Sequence, residues 1–230
     1  MPARLDREPK RIFIVNFKNY KRILGDNSVV LAKVVERVAS KYTVEAIVAP
    51  PTVMLGRVAS EVRIPTFSQS VGKEEGEKTT GADIPEAIKA AGASGTLLNH
   101  SESRKPAPEL ISLVPRARSL GLKVCLCANS ASEAASLTRL NSDYLAVEPP
   151  ELIGTGIAVS KARPEAVSMT VRAAREAGYA GKVLCGAGIV SGGDAKAAVE
   201  LGADGILVSS SVVEASDWSS KVDELARSLL

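Results

Sequence analysis

The sequence predicts an α/β protein that folds as a single-domain (β/α)8 barrel. Eight short apolar runs alternate with longer segments of helical periodicity along the 230 residues. These runs are rich in Val, Ile and Leu without polar alternation, which is typical of parallel strands buried on both faces. The length is near the ~250 residues typical of such barrels. An open doubly wound sheet is the alternative, but no G-x-G-x-x-G follows the first strand, so its main sequence support is missing.

The chain divides into a polar N-terminal extension, residues 1–10, and a barrel domain, residues 11–230. The eight predicted strands are residues 12–16, 44–49, 64–68, 96–99, 122–127, 144–147, 182–186 and 205–208.

Capping and stop signals predict the helices between the strands. Residues 29–39 carry apolar side chains at helical spacing. Asp83, with Glu86 three residues on, is the expected N-cap of the next helix, and Pro108 is expected to open another. The later signals are the capping-box spacings Ser130 to Glu133 and Ser211 to Glu214, a helix from Pro164 to Gly178, and one from Ser191 to Gly202.

Composition restricts the class of protein. A net charge of +3 suits an anionic small molecule and gives no support for a nucleic-acid partner. The longest stretch without a charged residue, 90–101, is too short to span a membrane, and residues 1–11 lack a secretory signal. Cys125, Cys127 and Cys185 lie in apolar strands, so we expect reduced core thiols, no metal site and a cytoplasmic protein.

Reactive side chains follow several of the predicted strands. Asn16 ends the first strand and Lys18 follows it, His100 and Glu102 follow the fourth, and Glu148 follows the sixth. The carboxyl ends of barrel strands meet at one rim, where catalytic groups cluster. Each group alone has a more ordinary explanation, such as a surface lysine, a structural histidine or a carboxylate that caps a helix. Because all of these groups lie at the same rim, we favour the interpretation that a base, a hydrogen-bond donor and a cation act together in one site.

The seventh and eighth strands run into small residues, among them Gly188, Ser209 and Ser210. Backbone N–H groups at helix starts bind anions, and these two loops often hold phosphate in barrels. This combination favours proton transfer beside a carbonyl in a phosphorylated sugar. The alternatives are a different sugar-phosphate barrel enzyme and a non-catalytic sugar-phosphate-binding barrel.

At these residues the chain resembles the triosephosphate isomerase family, in the short form typical of archaea. The resemblance covers roughly residues 12–213, nearly the whole chain. It rests on the motifs NFK at 16–18, LLNHSE at 97–102, VEPPELIGTG at 147–156, CGAGI at 185–189 and GADGILVSS at 202–210. The family interconverts dihydroxyacetone phosphate and D-glyceraldehyde 3-phosphate, a step of glycolysis and gluconeogenesis, without cofactor or metal. The implied fold is a (β/α)8 TIM barrel.

The resemblance also implies roles for individual residues. Glu148 would be the base that moves a proton between two substrate carbons, His100 the neutral electrophile and Lys18 the cation, with Glu102 in support. A helix start after His100 is expected to disfavour the imidazolium form. The substrate-binding residues would be Asn16, Phe17, Lys18, Ile153, Gly154, Gly188, Ser209 and Ser210. The lid would be Pro149, Pro150, Glu151, Leu152, Ile153, Gly154 and Thr155.

Two further expectations concern assembly and phosphate binding. Residues 72–81 resemble the family's intersubunit loop, and short forms are associated with homo-oligomers, a tetramer being favoured and a dimer the alternative. Ser209 and Ser210 stand where the longer bacterial and eukaryotic pattern has two glycines. Serine in place of glycine keeps the backbone N–H groups that can donate to phosphate, and the two hydroxyls add further donors.

Overall fold

A computed structural model describes residues 10–75, 78–148 and 164–230. Its eight parallel strands occur at nearly the predicted positions. In chain order they are β1 Arg11–Asn16, β2 Val44–Ala49, β3 Phe67–Ser68, β4 Gly95–Leu98, β5 Lys123–Ala128, β6 Tyr144–Val147, β7 Lys182–Cys185 and β8 Gly205–Val208.

The strands form one sheet that curls into a barrel. Their order is β2-β1-β8-β7-β6-β5-β4-β3. A single parallel bridge between Val48 and Thr66 joins the two outer strands and closes the ring. The predicted (β/α)8 barrel is therefore confirmed, and all strand carboxyl ends meet at one rim.

Helices surround the sheet. Within the described residues they are α1 Asp26–Ala39, α2 Leu55–Glu61, α3 Pro85–Ala90, α4 Ala107–Ser119, α5 Ala131–Leu137, α6 Pro164–Glu176, α7 Gly192–Glu200, α8 Ser210–Val213 and α9 Trp218–Arg227, with 3-10 turns at Lys21–Ile23, Thr52–Met54 and Thr138–Leu140. None of the helices in this part of the chain is long and apolar enough to cross a membrane.

The core has an inner and an outer part because side chains alternate along each strand. Ile12 and Ile14 of β1 point into the barrel, where they join a cluster that includes Cys125 and Cys127. Phe13 and Val15 of the same strand point outward and pack under the helices. The three cysteines are buried and free, as the sequence predicts.

The third strand is shorter than predicted. Residues 64–68 were expected, but regular pairing begins at Phe67. The reason is Pro65, which has no N–H to donate to a sheet ladder. Its carbonyl still accepts from Val48 N at 3.1 Å, which contributes to barrel closure.

Several helix starts differ from prediction, and others agree. Asp83 caps nothing: Ile84 is the N-cap because Pro85 takes the first helical position. Pro108 lies one residue inside α4, and Ser211 lies inside α8, whose N-cap is Ser209. The starts that agree are the Ser130 cap of α5, the Pro164 start of α6, and the Ser191–Asp194 capping box of α7.

Candidate active site

The end of β1 places Lys18 in the site. Asn16 is 3% exposed, and its Oδ1 accepts from the backbone N–H of Lys18 at 3.0 Å. Lys18 itself has a φ of 47°, so the chain turns sharply after the strand. The Lys18 ammonium then lies 2.7 Å from Glu102 Oε1. The predicted supporting residue therefore contacts the predicted cation directly.

Phe17 behaves differently from its neighbours. Its side chain is fully buried in the outer core, and its backbone N–H donates to Ala49 O at 2.9 Å. Strand alternation points Asn16 inward and Phe17 outward. The Phe17 side chain therefore packs in the outer core, and the substrate contact expected of this residue stays a prediction.

His100 follows β4 and is oriented by the backbone. The N–H of Glu102 donates to His100 Nδ1 at 3.1 Å. An accepting Nδ1 carries no proton, so the neutral ring has its proton on Nε2. That nitrogen faces Glu148, whose Oε1 lies 3.4 Å away.

The electrostatic setting of His100 favours the neutral ring, for a different reason from the one expected. Burial, and then the charge of Lys18, lowers the pKa of His100 to about 4, while Glu102 opposes the shift. No helix starts directly after His100: residues 101–103 form a turn, and α4 begins at Ala107. The predicted helix-dipole explanation is therefore wrong, because Pro106 and Pro108 delay the helix.

Glu148 follows β6 and is 2% exposed. Burial raises the pKa of its carboxyl to about 7, although the Cys127 thiol, Lys18 and the Ser101 backbone each lower it. Among the described residues, its Oε2 has no hydrogen-bond partner. A carboxylate with a pKa near neutrality and a free oxygen is suited to act as a base.

The three predicted catalytic residues line one cleft with an empty volume of about 520 Å³, here called the main cleft. Its other walls are the loops after β7 and β8, including Gly188, Ser209 and Ser210. The hydroxyls of Ser209 and Ser211 are buried and unpartnered within the described chain. The cleft therefore brings a base, a neutral N–H donor and a cation into one lining with the β8 loop, whose two serine hydroxyls have no partner in the described chain.

A second opening, here called the side cleft, adjoins the same residues and has an empty volume of about 720 Å³. It is lined by Asn16, Lys18, Asn19, Thr52, Gln69, Ser70, His100, Glu102 and Ser103. The side cleft therefore leaves one flank of Lys18 and His100 open.

The predicted lid, residues 149–155, lies outside the described residues, and so do the predicted ligands Ile153 and Gly154. Within the ranges that the structure describes, no group of three His, Cys, Asp or Glu side chains is placed to hold a metal ion.

Sequence reasoning missed three residues that support the site. Gln69 donates to the carbonyls of Lys18 and Ala49 at 3.0 and 3.1 Å. Cys127 lies next to Glu148, and a Cβ on Gly186 would lie 2.7 Å from Glu148 Cγ. Their positions in the sequence could have indicated such a role, because Gln69 directly follows β3 and Gly186 directly follows β7, at the rim where the catalytic groups lie.

The chain is similar to known proteins over most of its length. A family model described as triosephosphate isomerase matches residues 11–225. A triosephosphate isomerase of Methanocaldococcus jannaschii is 41% identical over 216 residues, covering 94% of this chain and 99% of that protein. A triosephosphate isomerase of Cenarchaeum symbiosum is 43% identical over 95% of this chain and 97% of its own, and one of Methanothermus fervidus is 42% identical over 93% and 96%.

Proposed function

This chain belongs to the triosephosphate isomerase family, and from that premise we propose that it interconverts dihydroxyacetone phosphate and D-glyceraldehyde 3-phosphate through Glu148, His100 and Lys18. It is an intramolecular aldose–ketose isomerase. The observation that carries the assignment of roles is the 3.4 Å approach of His100 Nε2 to Glu148 Oε1 in a cleft that Lys18 also lines.

Glu148 acts as the base. Its carboxylate removes a proton from the carbon next to the substrate carbonyl, which leaves an enediolate, and returns the proton to the neighbouring carbon. Burial lifts its pKa to about 7, which makes the carboxylate a stronger base than an exposed glutamate while leaving about half of it ionised at pH 7.

His100 and Lys18 stabilise the enediolate. The Nε2–H of neutral His100 donates to the oxygen that gains charge, and a neutral histidine is the established assignment in this family. The Lys18 ammonium offsets the negative charge of the enediolate and the phosphate. Glu102 holds that ammonium through the 2.7 Å ion pair.

The phosphate group occupies the loops after β7 and β8. Gly188 has a φ of 69°, a conformation that favours glycine and turns the backbone of the β7 loop. Ser209 and Ser210 begin the one-turn helix α8, and the buried Ser209 hydroxyl is a donor without a partner in the described chain.

A coupled assay with glyceraldehyde 3-phosphate tests the function and its base together. We expect turnover by the wild type and a loss of several orders of magnitude in kcat for Glu148→Gln. Glu148→Asp, which withdraws the carboxylate by one methylene, is expected to lose less. Normal turnover by Glu148→Gln would remove Glu148 as the base, and an inactive but folded wild type would contradict the function.

The enzyme acts as a homo-oligomer, with a tetramer favoured over a dimer. The support is the resemblance of residues 72–81 to the family's intersubunit loop, together with an open side cleft beside Lys18 and His100. Val53, which follows Thr52 of that cleft, is 87% exposed. Light scattering of the wild type and of Val53→Asp tests this; a monomeric wild type would contradict it.

The protein acts in the cytoplasm. Its three cysteines are buried and free, which suits a reducing compartment. Fractionation of source cells, followed by the isomerase assay on each fraction, tests the location, and activity confined to a membrane or secreted fraction would contradict it.

A further inference from the structure

Side chains, rather than regular secondary structure, hold the segment that carries His100. β4 ends at Leu98 and α4 begins at Ala107, so residues 99–106 lie between them. Asn99 begins this segment with a φ of 62°, in the left-handed region that few residues other than glycine adopt. Because Asn99 directly precedes His100, its backbone angles set the direction in which the imidazole leaves the strand.

The buried side chain of Asn99 is fixed at both of its polar atoms. Its Nδ2 donates to Cys127 O of β5 at 3.0 Å and to Glu133 Oε1 of α5 at 3.3 Å. Its Oδ1 accepts from the backbone N–H of Lys105 at 3.1 Å. These bonds tie both ends of the His100 segment to the neighbouring βα unit.

Arg104 and Glu133 close this network from outside. Arg104 Nη1 donates to the carbonyl of Asn99 at 3.1 Å, and its Nη2 pairs with Glu133 Oε1. The other oxygen of Glu133 accepts from the N–H of Asn129 at 2.7 Å. The planar guanidinium can reach two acceptors at once, which a lysine in its place could not do with fixed geometry.

We propose that Arg104 and Glu133 are positioning residues for the isomerase reaction, holding Asn99 in its left-handed conformation and thereby aiming His100 Nε2 at the substrate. Neither side chain lines the main or the side cleft, so both act through Asn99 and His100. The inference rests on the proposed function, because it concerns how one of the proposed groups is placed.

The test compares Arg104→Met and Glu133→Gln with the wild type. We expect kcat to fall five- to fifty-fold in each, while inhibition by phosphoglycolate changes less than twofold because the phosphate loops are untouched. The double variant is expected to be no worse than either single variant, since both break the same network. A loss in the double variant equal to the product of the two single losses would overturn the proposal.

Nitrogen NMR of the protein's single histidine supplies a readout that a general loss of stability would not move. In the wild type, Nδ1 is expected to be the acceptor and Nε2 to carry the proton. In both variants we expect a mixture of the two tautomers, because the ring is no longer held against Glu102 N. An unchanged spectrum in a folded variant would overturn the proposal.

A matched control exists at the opposite end of the barrel. Arg118 pairs with Asp143 and donates to the carbonyl of Asn141, and the side chains of this pair are 37% and 29% exposed, against 38% and 26% for Arg104 and Glu133. Arg118→Met should lower the melting temperature by a similar amount and leave kcat and the histidine spectrum unchanged. Equal loss of kcat in this control would overturn the proposal.

Two outcomes separate this proposal from the proposed function. If the wild type shows no isomerase turnover, the function fails, and the histidine spectra of the variants still decide whether the network orients His100. If Arg104→Met does not fold, Glu133→Gln, which keeps the size and shape of the side chain, decides the case. Full activity and an unchanged tautomer in Glu133→Gln would overturn the proposal.

Discussion

His100 Nε2 faces Glu148 Oε1 across 3.4 Å, and the pKa values of the two groups are shifted in opposite directions by the same cause, burial. Burial disfavours the charged form of each group, so it lowers the pKa of the imidazole and raises that of the carboxyl. The donor therefore stays neutral while the carboxylate becomes a better base.

The pH dependence of kcat/KM should show one acidic limb that belongs to Glu148. The pKa of its carboxyl is raised to about 7, and only the deprotonated form can accept a proton from carbon. We expect kcat/KM to fall about tenfold per pH unit well below pH 7. His100, with its pKa lowered to about 4, should add no limb between pH 5 and 9. A plateau that extends down to pH 5 would contradict the raised pKa.

Glu148→Gln should change the pH dependence of stability. The pKa of Glu148 is 4.5 in the unfolded chain and about 7 in the folded one. Its stabilising contribution is thus complete below pH 4.5 and is lost as the pH rises through 7, about 3 kcal/mol in all. Relative to the wild type, the variant should become more stable over that range in urea unfolding.

The stability of the wild type must be compared with that of Glu148→Gln, because the titration of His100 changes stability with pH in the opposite direction. Its pKa is lowered from 6.5 to about 4, so its contribution is lost as the pH falls through that interval, in both proteins. Glu61→Gln is a suitable control, since a hydrogen bond from Lys33 lowers the pKa of this exposed carboxyl. Parallel stability curves for wild type and Glu148→Gln would show that Glu148 titrates normally.

Lys18→Ala should weaken the binding of phosphoglycolate by at least tenfold and lower kcat further. Lys18 lines both clefts, and its charge helps to lower the pKa of His100. Lys33→Ala is the matched control, because Lys33 also pairs with a glutamate, at 2.6 Å, but on the exposed helical surface. Inhibition that is equal in the two variants would remove Lys18 from the anion site.

The sequence predicted the barrel well because its signal is repeated eight times. Parallel strands that are buried on both faces appear in the sequence as apolar runs. Because all eight strands point the same way, their carboxyl ends form one rim of the barrel. The error at β3 arose from one residue, Pro65, whose missing N–H shortens the strand while its carbonyl still pairs. The error at Asp83 has a similar origin, since Pro85 moves the helix start by one position.

The site was predicted as a set of residue types, and its fine geometry was not. Lys18, His100 and Glu148 come together as expected because each follows an inward-facing strand end. The contact of Asn99 with Glu133 joins residues 34 positions apart. No motif or periodicity in the sequence around either residue indicates this hydrogen bond. Such contacts depend on loop conformations that periodicity does not encode.

Gly186→Ala should lower kcat by ten- to a hundred-fold by displacing Glu148. A Cβ at this position would lie 2.7 Å from Glu148 Cγ and 3.1 Å from Val147 O, so the carboxylate must move, and a shift near 1 Å can cost about 10²-fold in rate. Gly193→Ala is the control, because its nearest atom would be Ser191 Oγ at 3.7 Å. Steady-state kinetics and melting temperatures should show lost turnover only at Gly186; full kcat there would mean that Glu148 tolerates displacement.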